Sequence, residues 1–490
     1  MKKNMTILLL LLHTFIVGAQ VTKTINVLYE GTLSSLLNTD ERTKITSLTL
    51  TGFIDARDVK FMRDSMTVLT DINLGSVKIN AFFGPNGTSD NPVYLENTLP
   101  DRSFLDKITL TNIVLPSSLT AIDLFAFWGC TGLNSITIPN NVTSLGQCAF
   151  GHCSGLTSVN IPAGLSSMRY APFYGCTGLT AFSVDGSNDY YSSHEGVLYN
   201  KNLSHLLFCP MGKKGDYSIP AGVTSIEYEA FNECVNLTSV TIPVGVKKID
   251  AGTFNKCTSL TSVILPIGLT EIGGSAFASC SMLKTINFPD SLRTIKSGAF
   301  FECSSLTSVN LPNSTDSIGE SSFRGCTSLQ SVNIPYNVTY IGIDVFTFCS
   351  NLTSIYAFPI YPVDISGEYP LFYGVNKYTS TLYVPIGSRK YYQVADKWRD
   401  FANIVEMDTP ATVTSAIDSR IYFYPNPVKD VLNIRGLEGE ALLNIIDMQG
   451  RSILKGIVSS EINVSQLLQG IYFVQIKTNK GTIVRKMLKE

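Results

Sequence analysis

The chain has 490 residues, 44% of them hydrophobic and 16% charged, with 37 basic residues against 39 acidic ones. That balance leaves no basic stripe for nucleic acid and no acidic tail for a cationic partner, while the apolar fraction is ample for a core.

The opening MKKNMTILLLLLHTFIVGAQ places Lys2 and Lys3 before an apolar run from Met5 to Val17, then Gly18 and Ala19. This is the make-up of a secretory signal, residues 1–19, and the run is short for a membrane span. A mature chain starting near Gln20 is expected, exported and without a transmembrane segment.

Residues 20–109 hold a weakened pattern, Ile45, Leu48 and Leu50, then Leu69, Ile72 and Leu74. Between them Val59, Met62 and Met66 recur at helical spacing behind Asp55, a good N-cap. We read this region as an N-terminal cap of degenerate repeats with one helix, because a first coil must cover an open end.

From residue 110 to 406 one beat dominates. Cysteine recurs at 130, 153, 176, 234, 257, 280, 303, 326 and 349, proline at 116 through 335 and phenylalanine at 127 through 346, nearly always 23 residues apart. A fixed period of this length marks a solenoid. Within one coil Leu237, Val240 and Ile242 give LxxVxI followed by Pro243, the leucine-rich-repeat strand signature. Val240 and Ile242 point inward together, and Pro243 ends the strand because it has no N–H to donate. Nine cysteines in one column form a buried seam, since a column spreads its thiols roughly 5 Å apart along an axis instead of converging them on a metal. Cys148 and Cys209 lie off the column.

One step, 176 to 234, contains an insertion of 35 residues. GVLYN and SHLLFCP, within about 185–219, suggest a hairpin projecting from the solenoid. Asp185, Asn188, Asp189, His194 and Glu195 lie nearby, and as residues of a Gly/Ser/Asn-rich loop they read as turn formers rather than calcium ligands. Residues 379–406 read as a closing cap, with Tyr392, Val394, Trp398, Phe401 and Ile404 at helical spacing before a short strand. A Thr/Ala-rich linker follows, 407–420. Residues 421–490 lose the beat and alternate short strands with turns, as in a small β-sandwich. The fold class is thus a leucine-rich-repeat β-solenoid of 23-residue coils with short parallel strands, followed by a small C-terminal β-sandwich.

The frame CxxLxxVxIPxxVxxIxxxAFxxC resembles the BspA-like leucine-rich repeats of bacterial surface proteins, strongly from Leu110 to Cys349 and more loosely from Ile45 to Glu406. The resemblance implies a surface adhesin or interaction protein that meets a host or neighbouring-cell protein or glycan. The tail resembles the type A C-terminal sorting domain of the type IX secretion system of certain Gram-negative bacteria. The matching residues are Tyr424, Pro425, Asn426 and Pro427, the stretch from Asn444 to Gly450 and Arg451, the run from Leu468 through Gly470 and Tyr472 to Val474, and the ending Arg485, Lys486. This resemblance implies contact with the type IX machinery, passage through the outer membrane, removal of the tail, and attachment to surface lipopolysaccharide or release.

No nucleophile elbow, zinc motif or phosphate-cradling loop occurs, so no catalytic residue, cofactor or metal is expected. A carboxylate pair for glycan hydrolysis would need side chains to converge, whereas repeats displace equivalent positions one coil at a time. The outward positions of the main strands, such as Ser239 and Thr241 or Ser331 and Asn333, form a carpet of short polar groups without interface anchors. The turn before each ladder cysteine is different. There Trp128, Tyr174, Phe301, Phe348 and Arg324 are the candidate partner contacts, joined by Tyr190, Tyr191 and His194 of the insertion. Two readings follow: an adhesin gripping a protein or glycan, or a structural surface spacer without a specific ligand.

Overall fold

The structure, a computed structural model, describes residues 20–365, 371–407 and 422–490, except 425–426, 436, 438, 448–451 and 479–480. The chain divides into two units, Met1–Ile355 with Val363–Ser380, and Tyr356–Pro362 with Thr381–Glu490.

In the first unit, Thr22–Val27, Ser47–Ile54, Asp71–Ile79 and Asn112–Val114 form one parallel sheet. The helix Ala56–Ser65 starts at Asp55, whose side chain caps it in a reciprocal pair with Asp58. Asp58 also accepts from the backbone of Gly31 and Leu33, so one buried carboxylate ties the helix start to the preceding loop. At the other end the buried Lys107 Nζ donates to the carbonyls of Arg63 and Met66. A cation there meets the negative end of the helix dipole.

The 23-residue coils follow. Leu237–Thr241 runs parallel to Gly215–Ser218 and Ser262–Ile264, with Val240 opposite Val263. Across the coil, Lys248–Ile249, Glu271–Ile272, Thr294–Ile295, Ser317–Ile318 and Tyr340–Ile341 stack as two-residue parallel strands. Threonine hydroxyls stitch one coil to the next, as where Thr261 Oγ1 donates to the carbonyl of Thr238 at 3.0 Å.

Two ladders fill the core. Phe231, Phe254, Phe277, Phe300, Phe323, Phe346 and Phe372 stack with centroids between 4.9 and 5.9 Å. Except at Cys234, beside the insertion, each ladder thiol donates to the carbonyl of a phenylalanine 26 residues earlier, at 3.1 Å for Cys257, Cys280 and Cys303. Cysteine thus supplies small apolar volume and a second, weak donor for a carbonyl that already accepts the backbone N–H three residues on. Burial pushes the thiols of Cys130, Cys176, Cys303 and Cys349 up to about 12.

The insertion is woven into the stack, and the projecting hairpin of the sequence reading is corrected accordingly. Tyr191–His194, Val197–Asn200 and His205–Phe208 form an antiparallel meander, and the last of these pairs in parallel with Ser225–Ile226. Val197, Leu198 and Tyr199 are all buried, and because successive side chains point to opposite faces, this strand is covered on both. The first phenyl ladder, Phe104, Phe127, Phe150 and Phe173, ends here. Tyr199 and Tyr217 fill the interruption, their hydroxyls hydrogen-bonded to each other. Cys209 takes the phenylalanine place in this short coil: its N–H donates to Ala230, as Phe231 N–H donates to Thr253.

In the second unit Thr381–Pro385 and Asn403–Met407 are parallel partners. The helical cap expected between them is a single turn, Arg389–Tyr392. Lys397 adopts a left-handed φ of 61°, which a continuing helix does not allow, and Val394 lies exposed while Tyr392, Trp398, Phe401 and Ile404 are buried. Farther on, Tyr422–Tyr424, Val431–Arg435 and Glu461–Asn463 form one antiparallel sheet. A second comprises Ser452–Val458, Ala441–Asp447, Gly470–Thr478 and Gly481–Lys489. Leu432, Ile445, Val474 and Ile476 meet in their shared core.

Candidate partner-binding edge

The turn before each ladder cysteine is built on strained backbone. Glu233, Lys256, Ser279, Glu302 and Phe348, each immediately before a cysteine, have φ of 60°, 58°, 57°, 56° and 61°. Only tertiary context holds such residues left-handed, at a cost of about 1 kcal/mol or more each.

Side chains on these turns lie over the following coil, and glycine makes the room. A Cβ at Gly151 would stand 2.3 Å from the Trp128 ring, and one at Gly175 would stand 2.6 Å from His152 Nδ1. Both distances are inside any tolerable contact. Consequently Trp128 and His152 rest on the backbone of their neighbours instead of extending into solvent.

The result is a continuous aromatic row. Phe125 meets Trp128 edge to face at 5.3 Å, Trp128 meets His152 at 4.5 Å, and His152 meets Tyr174 at 5.3 Å. Trp128 and Tyr174, both half-buried, are thereby brought together. His152, exposed and between them, was missed by sequence reasoning, although glycine 23 residues after Trp128 and again after His152 was a legible signal. Beyond Tyr174 stand Tyr170 and Tyr228, with ring centroids 6.2 Å apart, and Glu229, which accepts from the Tyr170 hydroxyl. Burial, then Glu233, raises the Tyr174 phenol above its ordinary value.

The other candidates fall into separate places. Arg324 pairs with Asp344 at 2.7 Å and lies over the Phe348 ring at 5.3 Å, while Phe348 contacts Tyr373 edge to face. Phe301 is half-buried on its own turn, outside both clusters. In the insertion Tyr190 and His194 are exposed, whereas Tyr191 is half-buried and donates to Ser166. Asn188 is wholly buried and spends all its groups on backbone: it donates to Pro162 and Leu165 and accepts from Tyr190 and Tyr191. Among the described residues no three His, Cys, Asp or Glu side chains come together as metal ligands.

The polar carpet needs two corrections. Asn333 is turned inward, its amide bonding both N–H and C=O of Leu311 where the strand pairing lapses. Ile264 stands out on the same face, 62% exposed. A groove of about 460 Å³ at the first coils is lined by Asn112, Ser135 and Thr137 interleaved with Val114, Leu115 and Pro139.

In the tail, Tyr424 ends its strand and its carbonyl accepts from Asn433. Gly470 pairs with Lys489, Tyr472 with Met487, Phe473 with Lys486 and Val474 with Arg485, so the basic ending is the last strand of the sheet. The Tyr472 hydroxyl donates to Leu468, and Pro427 is exposed. Pro425, Asn426, Gly450 and Arg451 lie outside the described residues.

Parallel 23-residue coils with an inward LxxVxI strand, followed by an antiparallel sandwich, define a leucine-rich-repeat solenoid with a small C-terminal β-domain. Residues 97–218, 207–304 and 247–360 match the BspA type leucine rich repeat region, and the chain belongs to that family. Residues 422–490 match the secretion system C-terminal sorting domain, which marks the chain for export by the type IX route. The fold is similar to a leucine-rich repeat protein from Eubacterium ventriosum, at 22% identity and a TM-score of 0.50, covering 69% of this chain and 91% of that one. Also similar are a leucine rich cell surface protein from Faecalibacterium prausnitzii (27% identity, TM-score 0.44, 59% and 78% covered) and the pneumococcal vaccine antigen PcpA (17%, 0.45, 76% and 82%). No curated relative matches the chain.

Proposed function

We propose that this protein is a surface-displayed interaction module, not an enzyme, and that it grips its partner through the turn edge of the solenoid. The carrying observation is the row Phe125, Trp128, His152 and Tyr174, aromatic anchors held in place by packing on one edge of the solenoid. Arg324 with Phe348, and Tyr190 with His194 on the insertion, are secondary contacts. The C-terminal sandwich delivers the module: it engages the type IX machinery, is removed, and leaves the solenoid attached at the outer face or released. The partner is a molecule of a host or neighbouring cell.

Two measurements test this. Deleting residues 422–490 leaves the protein in the periplasm; its continued appearance outside the cell overturns the export route. Cells displaying the full chain adhere to a host-cell layer, and Trp128→Ala with Tyr174→Ala lowers adhesion at unchanged surface density. Equal adhesion by the variant would leave only a spacer role.

A further inference from the structure

Building on that reading, we infer that the aromatic row is a binding track for a neutral polysaccharide. Three observations select this chemistry. The rings are in place before any ligand arrives, each resting on a neighbouring ring or on glycine backbone, so little side-chain freedom is lost on contact. A pyranose offers weakly polar C–H faces that suit aromatic rings, and a rim of hydroxyls that suits phenol, imidazole and carboxylate groups; the row has both, with Glu229 and Glu233 beside its Tyr174 end.

Net charge does not favour an anionic polymer. Lys256 is paired with Glu233 at 2.7 Å, and Glu229 adds a further carboxylate at the same end. Because successive coils present successive rings, a polymer meets several weak contacts at once, and these multiply.

The chain itself supplies the probe. It has two tryptophans, and Trp398 is 1% exposed, so a change in tryptophan emission or in acrylamide quenching reports Trp128. The full chain is titrated with dextran, with a soluble β-glucan and, as the anionic control, with heparin. At least one neutral polymer should shift the emission and protect Trp128 from acrylamide, while heparin does neither. His152→Ala and Tyr174→Ala should each weaken binding about tenfold, and Ile264→Ser, on the strand face of a later coil, should leave it unchanged. Trp128→Phe, which keeps a ring, should retain most binding by affinity electrophoresis, separating ring loss from misfolding.

Failure of both neutral polymers, or stronger binding of heparin, overturns the polysaccharide assignment. If adhesion to cells still depends on Trp128 and Tyr174 in that event, the partner is a protein and the surface reading stands. If adhesion ignores those residues, both readings fall.

Discussion

A single missing Cβ decides where several of the important side chains lie. Trp128 covers Gly151, His152 covers Gly175 and Phe348 covers Gly374, each from one coil onto the next. At Gly151 the backbone needs no left-handed freedom, so closeness alone demands glycine. Gly151→Leu should therefore displace the indole, shift its emission to the red and destabilise the chain by about 1–3 kcal/mol. Gly222→Ala, with open space around its Cβ, should do neither, and denaturant unfolding followed by fluorescence compares the two. Residue identities in the core columns were legible from period alone. The geometry of the edge was less so, because the left-handed position before cysteine is filled by Gly, His, Glu, Lys, Ser and Phe in different coils, and no one residue type announces it.

At the scale of elements, the helix Ala56–Ser65 is held at both ends by buried charge, Asp55 and Asp58 at its start and Lys107 at its close. Burial lowers the Lys107 amine from its ordinary 10.5 to about 8. Across that window the unfolded chain binds more protons at this site than the folded one, so this lysine makes stability rise with pH between about 8 and 10.5. Lys107→Met should flatten that rise, read as the difference between variant and parent in urea midpoints at pH 7.5 and pH 10. An equal rise in both would remove the assignment. Sequence periodicity located this helix through Val59, Met62 and Met66, but failed at Tyr392 to Ile404, where the same spacing describes one helical turn and a loop. Apolar spacing reports which residues are buried; it does not report that Lys397 turns left-handed between them. The insertion misled in a similar way, since alternation predicts a strand and says nothing about which sheet the strand joins.

The solenoid as a whole carries its own reporters: buried thiols are distributed at one per coil. With every thiol buried, native protein at pH 8 should react at none of its eleven cysteines. In rising urea, pulse labelling followed by mass spectrometry should mark Cys257 to Cys349 as one group and Cys130 to Cys176 as another, divided where the phenyl ladder gives way to Tyr199 and Tyr217. Labelling of all thiols at one urea concentration would show a single cooperative block. The period made coil number and order readable in advance, whereas this division depends on packing inside the insertion, which has no counterpart elsewhere in the array.

The pairing of a large side chain with glycine in the following coil also bears on how such arrays change over generations. Coils of equal length look interchangeable, as though a gene could gain or lose any one of them by slippage. Here excision of the coil that carries Gly151 would bring the next turn beneath Trp128, with Tyr174 where the glycine had been. Neighbouring coils are thus inherited as matched couples, and the order of the array is as much under selection as its sequence.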